Sequence, residues 1–465
     1  MLVHDGLPPP ARYRAMAVVI LGIALSVLDG TIANLALPGI ARDLNSAAAQ
    51  AVWVVNAYQI ATLALLLPCA MLGDLVGYRR VYLTGLALFT AASLGCALAD
   101  SLPLLAAARA IQGLGAAGIM SVNPALVRLI YPRRMLGRGV AINSLVVATA
   151  SVAGPSIAAG ILSVASWHWL FALNLPFGVG VLWLGFRALP QNIAARPSSA
   201  RLSWLDVLLN ALMFSLVFLG VDALGTRFDK SAASVDVAGM TMLVGGVLVG
   251  VVYLRRQLKQ PVPMFPMDLL RIPVFALSMC TSVAAFAAQT LAYIALPFLM
   301  FDSYGRSLLQ AGMLITAWPL SIVVVAPIVG RLIGRYPDGL LGGIGLGTMA
   351  TGLALLAALP TQPANADIVW RMALCGIGFG LFQSPNNHTI VTSAPHNRSG
   401  GASGLLGTAR LTGQTLGAAL LAIIFSSANV HNGRGPMFAL ALASCFAAVA
   451  GAFSTLRLRH TPASE

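Results

Sequence analysis

Glutamate is almost absent from this chain, since Glu465 is the only one in 465 residues. Charged residues of all kinds make up 9% of the sequence, against roughly 25% in a soluble domain. Hydrophobic residues make up 58%. A soluble fold of this length could not cover its surface with so few charges, so the lipid bilayer is predicted to solvate most of the chain.

Patterns typical of metal sites and enzymes are also missing. The five cysteines all lie within apolar runs and form no CxxC pair, which argues against disulfides and against a metal site. The sequence contains no HExxH, Gly-x-Ser-x-Gly or P-loop pattern. A membrane enzyme, a lipid-handling protein and an ATP-driven pump are therefore disfavoured, and no cofactor is expected.

Long apolar segments follow one another along the chain. A membrane-spanning helix needs about 20 apolar residues. Fourteen segments, here called spans 1 to 14, meet this requirement: 15–37, 51–72, 81–99, 103–127, 138–163, 168–187, 204–224, 235–255, 274–300, 309–334, 339–360, 367–391, 401–426 and 435–457. Span 1 is too long for a cleavable signal and is expected to stay in the protein.

Basic residues are distributed unevenly between the loops. Of the 28 lysines and arginines, 20 lie in the loops or at the span ends on one side of the predicted membrane and 6 on the other side, and the remaining two, Arg109 and Arg410, lie within spans. The positive-inside rule then predicts a multi-pass protein of the cell inner membrane with both termini in the cytoplasm. Topology thus accounts for the net charge of +14, and no nucleic-acid partner is predicted.

Two short patterns recur along the sequence. Residues 73–79 resemble 330–335, and residues 132–137 resemble 395–400, at offsets of 257 and 263. These repeats predict an all-α polytopic fold with a six-helix bundle at 1–190, a linker with two extra transmembrane helices at 191–260, and a second six-helix bundle at 261–465. Two bundles related by a pseudo-two-fold axis are a transporter architecture, with the substrate site near the midplane.

Asp29 is the only acidic residue that lies well inside a span of either six-helix bundle. A carboxylate in hydrocarbon is costly, so it must face a cavity or a partner. Asp29 lies about 12 Å from the outer end of span 1, and Arg109 lies about 9 Å from the outer end of span 4. Their similar depth and opposite sign predict a proton-coupling site. A static ion pair that joins the two helices is the alternative.

The loop between spans 2 and 3 contains a second charged pattern. Gly73 and Gly77 allow a close approach of the backbone, and Asp74 can cap a helix N-terminus or pair with Arg79 or Arg80. Contacts of this kind would latch one arrangement of the two bundles. Ordinary turn chemistry and topology, which need only the arginines, are the alternative.

Five motifs lie in order along spans 1 to 6. They are Leu28-Asp29-Gly30-Thr31-Ile32-Ala33-Asn34, Gly73-Asp74-x-x-Gly77-x-Arg79-Arg80, Arg109-x-x-Gln112-Gly113-x-Gly115, Gly154-Pro155-x-x-x-x-Gly160 and Trp167-x-Trp169-x-Phe171-x-x-Asn174-x-Pro176. With these motifs the chain resembles the major facilitator superfamily, and within it the fourteen-helix drug:proton antiporters of the multidrug efflux type. The resemblance covers nearly the whole chain.

This resemblance implies export of lipophilic, cationic compounds in exchange for protons, with the proton gradient as the driving force. It also implies that Gly154, Pro155 and Gly160 form an antiporter motif, although small residues there would equally serve close helix packing. Specific export of an endogenous metabolite, siderophore or antibiotic is the alternative function. The expected partners are a small-molecule substrate, protons and the bilayer, and a periplasmic adaptor remains open.

Polar and aromatic residues at helical spacing are the candidate substrate contacts. Binding sites for small molecules are mostly apolar with a few convergent polar groups. The candidates are Asn34, Tyr58, Gln59, Phe286, Gln289, Tyr293, Phe379, Phe382, Gln383, Asn386 and Arg410. For each of them, helix packing is the alternative role.

Overall fold

The computed structural model describes residues 6–46, 48–51, 53–191, 202–225, 237–260, 263–300, 304–306, 308–395, 398–427 and 434–459. All of its long elements are helices, which confirms the predicted all-α architecture. The first part contains α1 (Pro9–Asp43), α2 (Ala48–Ala51), α3 (Trp53–Val76), α4 (Tyr78–Ala97), α5 (Leu102–Ile130), α6 (Leu136–Leu162), α7 (His168–Ala172) and α8 (Asn174–Ala188). We call this part the N-terminal half.

The remaining helices form a central pair and a second set. The central pair is α9 (Trp204–Gly225) and α10 (Val237–Gln257). The second set, called the C-terminal half, contains α11 (Met267–Leu270), α12 (Pro273–Phe298), α13 (Leu308–Ile315), α14 (Ala317–Leu332), α15 (Asp338–Ala357), α16 (Asn365–Ser393), α17 (Ser399–Ser427) and α18 (Arg434–Leu456). The predicted boundaries at residues 190 and 260 adjoin segments outside the described residues, so this division stays a prediction.

Most of these helices match the thickness of a membrane. A helix of 20 residues is about 30 Å long, which equals the hydrocarbon core of a bilayer. Within the described residues, eleven helices are long and apolar enough to cross a membrane. The three other predicted spans fall on α6, α16 and α17, which have the length but are outside that set. The count of fourteen therefore stays a prediction.

The sequence repeat extends to the packing of the helices. In the N-terminal half, the α-carbon of Gly113 in α5 lies against the backbone of Tyr58 in α3, and in the C-terminal half Gly376 lies in the same way against Trp318. A Cβ atom at these glycines would stand 2.4 Å and 2.1 Å from the respective carbonyl oxygens. Glycine is needed at both places because the two backbones touch.

The central pair packs onto both halves. Helix α9 lies against α10, against α3 of the N-terminal half and against α17 of the C-terminal half. The buried Asn210 side chain of α9 donates a hydrogen bond of 2.7 Å to the Ala64 carbonyl in α3. The two helices of the predicted hairpin therefore pack against each other, and α9 covers the contact between α3 and α17. That this pair is an insertion between the two bundles stays a prediction.

Candidate functional site

A buried polar network surrounds Asp29 inside the N-terminal half. Arg109 of α5 donates to Asp29 Oδ2 and forms an ion pair with it. Gln112 Nε2 and Asn174 Nδ2 donate to Asp29 Oδ1 over 2.9 Å and 2.8 Å. Asp29 is 3% exposed and Arg109 is fully buried. The two charged residues that the sequence placed at similar depth therefore contact each other directly, and two amides complete the shell.

Arg109 is held by several further contacts. Its Nε donates 3.0 Å to the Val54 carbonyl, and Nη1 also donates 2.6 Å to Gln112 Oε1. The guanidinium carbon lies 4.3 Å from the ring centre of Tyr58 and 5.5 Å from that of Phe171. These rings favour a cation over their faces. Nη2 is buried and has no hydrogen-bond partner in the described part of the chain.

This geometry limits what Asp29 can bind. Both of its oxygens already accept hydrogen bonds, and a cationic substrate would reach the carboxylate only by displacing Arg109. The cationic substrate that the family resemblance implies is not tested by this geometry and stays a prediction. Gln112 and Asn174 were not among the predicted site residues, although Gln112 lies three residues after Arg109 and so shares its helix face.

The polar network belongs to one half only. The matching glycine contacts of the two halves place Met372 and Cys375 where α5 has Arg109 and Gln112, and Trp318 where α3 has Tyr58. Met372, Cys375 and Trp318 are fully buried. Among the described residues, the repeat therefore keeps the glycine contacts in both halves, whereas the positions of the second half that match Arg109 and Gln112 are uncharged.

Asp74 joins the two halves at one end of the bundle, here called the arginine-rich end, which carries Arg79, Arg80, Arg134 and Arg335. Asp74 Oδ1 accepts a hydrogen bond of 2.8 Å from the Gly400 amide, and Oδ2 accepts one of 3.0 Å from the Gly401 amide. Tyr78 Oη also donates to Oδ1 over 2.7 Å. Free amides at a helix N-terminus favour an anion, and Asp74 caps α17 of the opposite half.

The sequence allowed Asp74 either to cap a helix N-terminus or to pair with Arg79 or Arg80. In the structure it caps a helix N-terminus. Arg79 instead donates to the Phe186 carbonyl, and Arg80 is exposed. Gly77 begins α4 with a φ of 101°, a conformation that favours glycine. Gly73 lies close to Tyr78 and Val122. These positions shape the turn that presents Asp74 to α17.

The second copy of this motif has no acid at the equivalent contact. A Cβ atom at Gly400 would lie 2.5 Å from Asp74 Oδ1, whereas one at Gly137 would lie 2.4 Å from Ile333 Cγ2. Ile333 thus takes the place opposite α6 that Asp74 takes opposite α17. The sequence repeat had matched Asp74 with Arg331 instead. The charged contact between the halves is one-sided.

Further contacts close the arginine-rich end. Arg128 of α5 donates to the Ala394 carbonyl over 2.9 Å and to Ser399 Oγ over 3.0 Å. Gly404 of α17 packs against Ala70 and Leu67 of α3, and Gly330 of α14 packs against Ala141 of α6. All of these contacts join the N-terminal half to the C-terminal half near this end.

The two glycines of the predicted antiporter motif in α6 differ in their surroundings. A Cβ atom at Gly154 would lie 2.0 Å from Thr31 Oγ1 of α1, so the two helices touch there. Gly160 is exposed, and a Cβ atom added to it would have nothing within 4 Å. Pro155 lies in α6, but its side chain is outside the described part. Close packing of α1 and α6 accordingly depends on Gly154.

The candidate substrate contacts do not form a single cluster. Tyr58 is buried beside Arg109, with its hydroxyl donating 3.0 Å to the Ser26 carbonyl, and Gln59 is exposed. Asn386 is fully buried and bonded to Ser282 and Arg457, so it serves packing within the C-terminal half. The side chain of Asn34 lies outside the described residues.

An aromatic wall lies in the C-terminal half. The ring centre of Phe379 is 5.5 Å from that of Phe286 and 5.6 Å from that of Phe382. Tyr293 packs against Trp318, with ring centres 5.0 Å apart, and Gln289 lies next to it, 9% exposed. Gln383 is half-buried. The guanidinium carbon of Arg410 stands 5.7 Å from the Phe286 ring, at the edge of this wall.

Comparison with known proteins now identifies the family. The family model described as the Major Facilitator Superfamily matches residues 19–418 and 277–464. The chain belongs to the major facilitator superfamily. The uncharacterized transporter YebQ of Escherichia coli is 51% identical over 98% of this chain and 97% of its own. The multidrug resistance protein Stp of Mycobacterium tuberculosis is 30% identical over 88% of this chain and 74% of its own.

The solved structure of another transporter shows the same fold. The human organic anion transporter MFSD10 superposes with a TM-score of 0.69 at 17% identity, over 96% of this chain and 100% of that one. The family match and the similarity to YebQ confirm the predicted superfamily and a role in membrane transport of small molecules. Superfamily members are generally transporters and not enzymes, in agreement with the sequence. The fourteen-helix antiporter subfamily stays a prediction.

Proposed function

We propose that this chain is a proton-coupled antiporter of the inner membrane that exports lipophilic organic compounds by alternating access. The observation that carries this proposal is the ion pair between Asp29 and Arg109, which is buried within one half of the transporter. Proton coupling needs a group that can change charge and a structural response to that change. The network around Asp29 supplies both.

The response follows from electrostatics. A proton on Asp29 would neutralise the carboxylate and leave the Arg109 guanidinium buried without a counter-charge. Removing one partner of a buried pair costs about 3–5 kcal/mol. Arg109 would then move toward water or another acceptor, and the helices that hold it, α1, α3 and α5, would shift with it. Binding of a proton and the conformation of the N-terminal half are thus linked.

The contacts between the halves define the state that must change. By the positive-inside rule the arginine-rich end faces the cytoplasm. The Asp74 cap on α17 and the Arg128 contacts join the halves at this end, and we assign the structure to the state that is closed to the cytoplasm. In our scheme a proton reaches Asp29 from outside, the cytoplasmic contacts break, and substrate enters from the cytoplasm or inner leaflet.

The name of the relative Stp, a multidrug resistance protein, supports export of foreign compounds. Export of a single endogenous metabolite would use the same geometry and is the second candidate. A substrate panel separates the two, because a multidrug exporter responds to several unrelated compounds and a dedicated exporter to one.

The test uses everted membrane vesicles that are energised to acidify their interior, with an acridine dye reporting the pH gradient. Lipophilic aromatic anions, neutral compounds and cations, ethidium among them, are added one at a time. We expect at least one compound to dissipate the gradient with the wild type but not with Asp29→Asn. The double variant Asp29→Asn/Arg109→Gln, which restores charge balance, should be folded and equally uncoupled. Gradient consumption that persists in both variants would exclude Asp29 from coupling.

A further inference from the structure

Arg410 lies deep in α17, between two helix contacts of different kinds. It is eleven residues, or about 17 Å, from the start of α17 at Ser399. Gly407 packs against Leu66 of the N-terminal half, and Gly413 packs against Phe286 of the C-terminal half. Arg410 is three residues from each glycine, so its helix face points between α3 and α12, toward the space between the halves.

The charge of Arg410 has no acidic partner among the described residues, because no carboxylate there lies within 4 Å of its guanidinium. The guanidinium carbon lies 5.7 Å from the centre of the Phe286 ring. The side chain is half-buried. None of its nitrogens belongs to the buried atoms that lack a partner, in contrast to Arg109 Nη2 and Arg371 Nε. The guanidinium therefore faces open space at depth.

The opposite half supplies no described counter-charge. Asp29 is neutralised by Arg109, and Gln112 and Asn174 occupy its other oxygen. Asp74 is bound to the N-terminus of α17 at the arginine-rich end. The side chain of Asp222, in α9, lies outside the described part. Among the described residues, Arg410 thus places a positive charge between the halves without an acidic partner, whereas Arg128 lies at the arginine-rich end.

The surroundings of this charge are aromatic and amide groups. Phe286 and Phe379 form the wall beside the guanidinium, and Gln414 lies one helical turn further along α17. Arginine binds carboxylates and sulfonate-like anions through a planar fork of donors, and its charge repels cations. We propose that Arg410 recognises the anionic group of an aromatic, lipophilic substrate, so that this transporter prefers organic anions to organic cations.

This proposal rests on the proposed export function and specifies its substrate class. The test is an equilibrium binding measurement on the purified transporter in lipid nanodiscs, without any pH gradient. Fluorescence polarisation is recorded for two dyes on the same xanthene scaffold, the anionic sulforhodamine B and the cationic rhodamine 6G. The variants are Arg410→Gln, Arg410→Glu and, as a control, Arg331→Gln, which removes an exposed arginine at the arginine-rich end.

We expect the wild type and Arg331→Gln to bind sulforhodamine B more tightly than rhodamine 6G. Loss of a charge-assisted hydrogen bond in Arg410→Gln should weaken sulforhodamine B binding about 10- to 100-fold. Arg410→Glu should abolish sulforhodamine B binding and increase that of rhodamine 6G, a gain that misfolding cannot produce. Tighter binding of rhodamine 6G by the wild type, or unchanged sulforhodamine B affinity in Arg410→Gln, would overturn the proposal.

The two proposals fail separately. If the anion preference is absent while Asp29-dependent consumption of the pH gradient is intact, only the substrate class is refuted. If the preference is present and depends on Arg410 while transport ignores the pH gradient, only proton coupling is refuted.

Discussion

Replacing Asp74 by asparagine should open the arginine-rich end of the transporter. In the structure this carboxylate accepts one hydrogen bond from each of two adjacent amides, Gly400 and Gly401, at the start of α17. Asparagine keeps one acceptor oxygen but presents an NH₂ group in place of the other. It also loses the negative charge that the helix N-terminus favours. The variant therefore weakens a contact between the halves without removing packing volume.

The magnitude can be worked out from these two bonds. A hydrogen bond to a charged group contributes about 1.5–3 kcal/mol, and one such bond is lost. Alternating states of a protein commonly differ by a few kcal/mol. A loss of this size changes the ratio of closed to open states about 10- to 100-fold. The variant should therefore populate both states, where the wild type populates mainly the closed one.

Pulsed electron–electron double resonance measures the two populations directly. Spin labels at positions 134 and 335 lie on the exposed arginine-rich end, one on each half, in a background without native cysteines. We expect Asp74→Asn to add a population at longer distance. The matched control is Asp268→Asn, which breaks an ion pair to Arg398 within the C-terminal half. If Asp74→Asn leaves the distances unchanged, or if the control shifts them equally, Asp74 does not hold the two halves together at this end.

Two further predictions concern stability. Asp29→Asn should lower the free energy of unfolding by about 3–5 kcal/mol because it leaves Arg109 buried and unpaired, and adding Arg109→Gln should recover part of this loss. Thermal unfolding in detergent tests this, and a double variant less stable than the single one would contradict it. Gly154→Ala should cost about 1–3 kcal/mol, because the new methyl group would overlap Thr31, whereas Gly160→Ala should be neutral. Equal unfolding temperatures for these two variants would show that α1 and α6 do not need the close approach.

Much of the fold could be predicted from the sequence because the bilayer imposes a simple rule on it. Long apolar runs mark the helices, and the short loops carry the basic residues. The proximity of Asp29 and Arg109 also followed from their similar depth and opposite charge. Their remaining partners did not, because Asn174 comes from α8 and its position beside α1 depends on how three helices pack.

The contacts between the two halves could not be predicted from the sequence for a similar reason. Asp74 and Gly400 are 326 residues apart, and no local pattern shows that a loop will meet the start of a distant helix. Helical spacing did group Phe379 with Phe382. It could not show that both are almost fully buried, since periodicity identifies a helix face but not the side of the helix that packs.

The way in which the central helix pair packs against the two halves has a mechanical consequence. The hydrogen bond from Asn210 to the Ala64 carbonyl ties α9 to α3. In contrast, the contact of α9 with α17 is apolar: Phe214 of α9 packs beside Leu67 and Leu405. A phenylalanine side chain forms no hydrogen bond that would fix its position. Apolar surfaces can slide over each other at little cost, whereas a buried hydrogen bond resists separation. If the halves rotate as in the proposed alternating-access cycle, α9 and α10 should move with the N-terminal half while α17 slides along them.

The central helix pair also makes the two lipid-facing sides of the transporter different. Helix α9 covers the contact between α3 and α17, whereas none of the described helices covers the contact between α6 and α14 on the other side. In the proposed transport cycle, a lipophilic molecule in the inner leaflet would therefore meet the α6/α14 contact without a covering helix among the described residues.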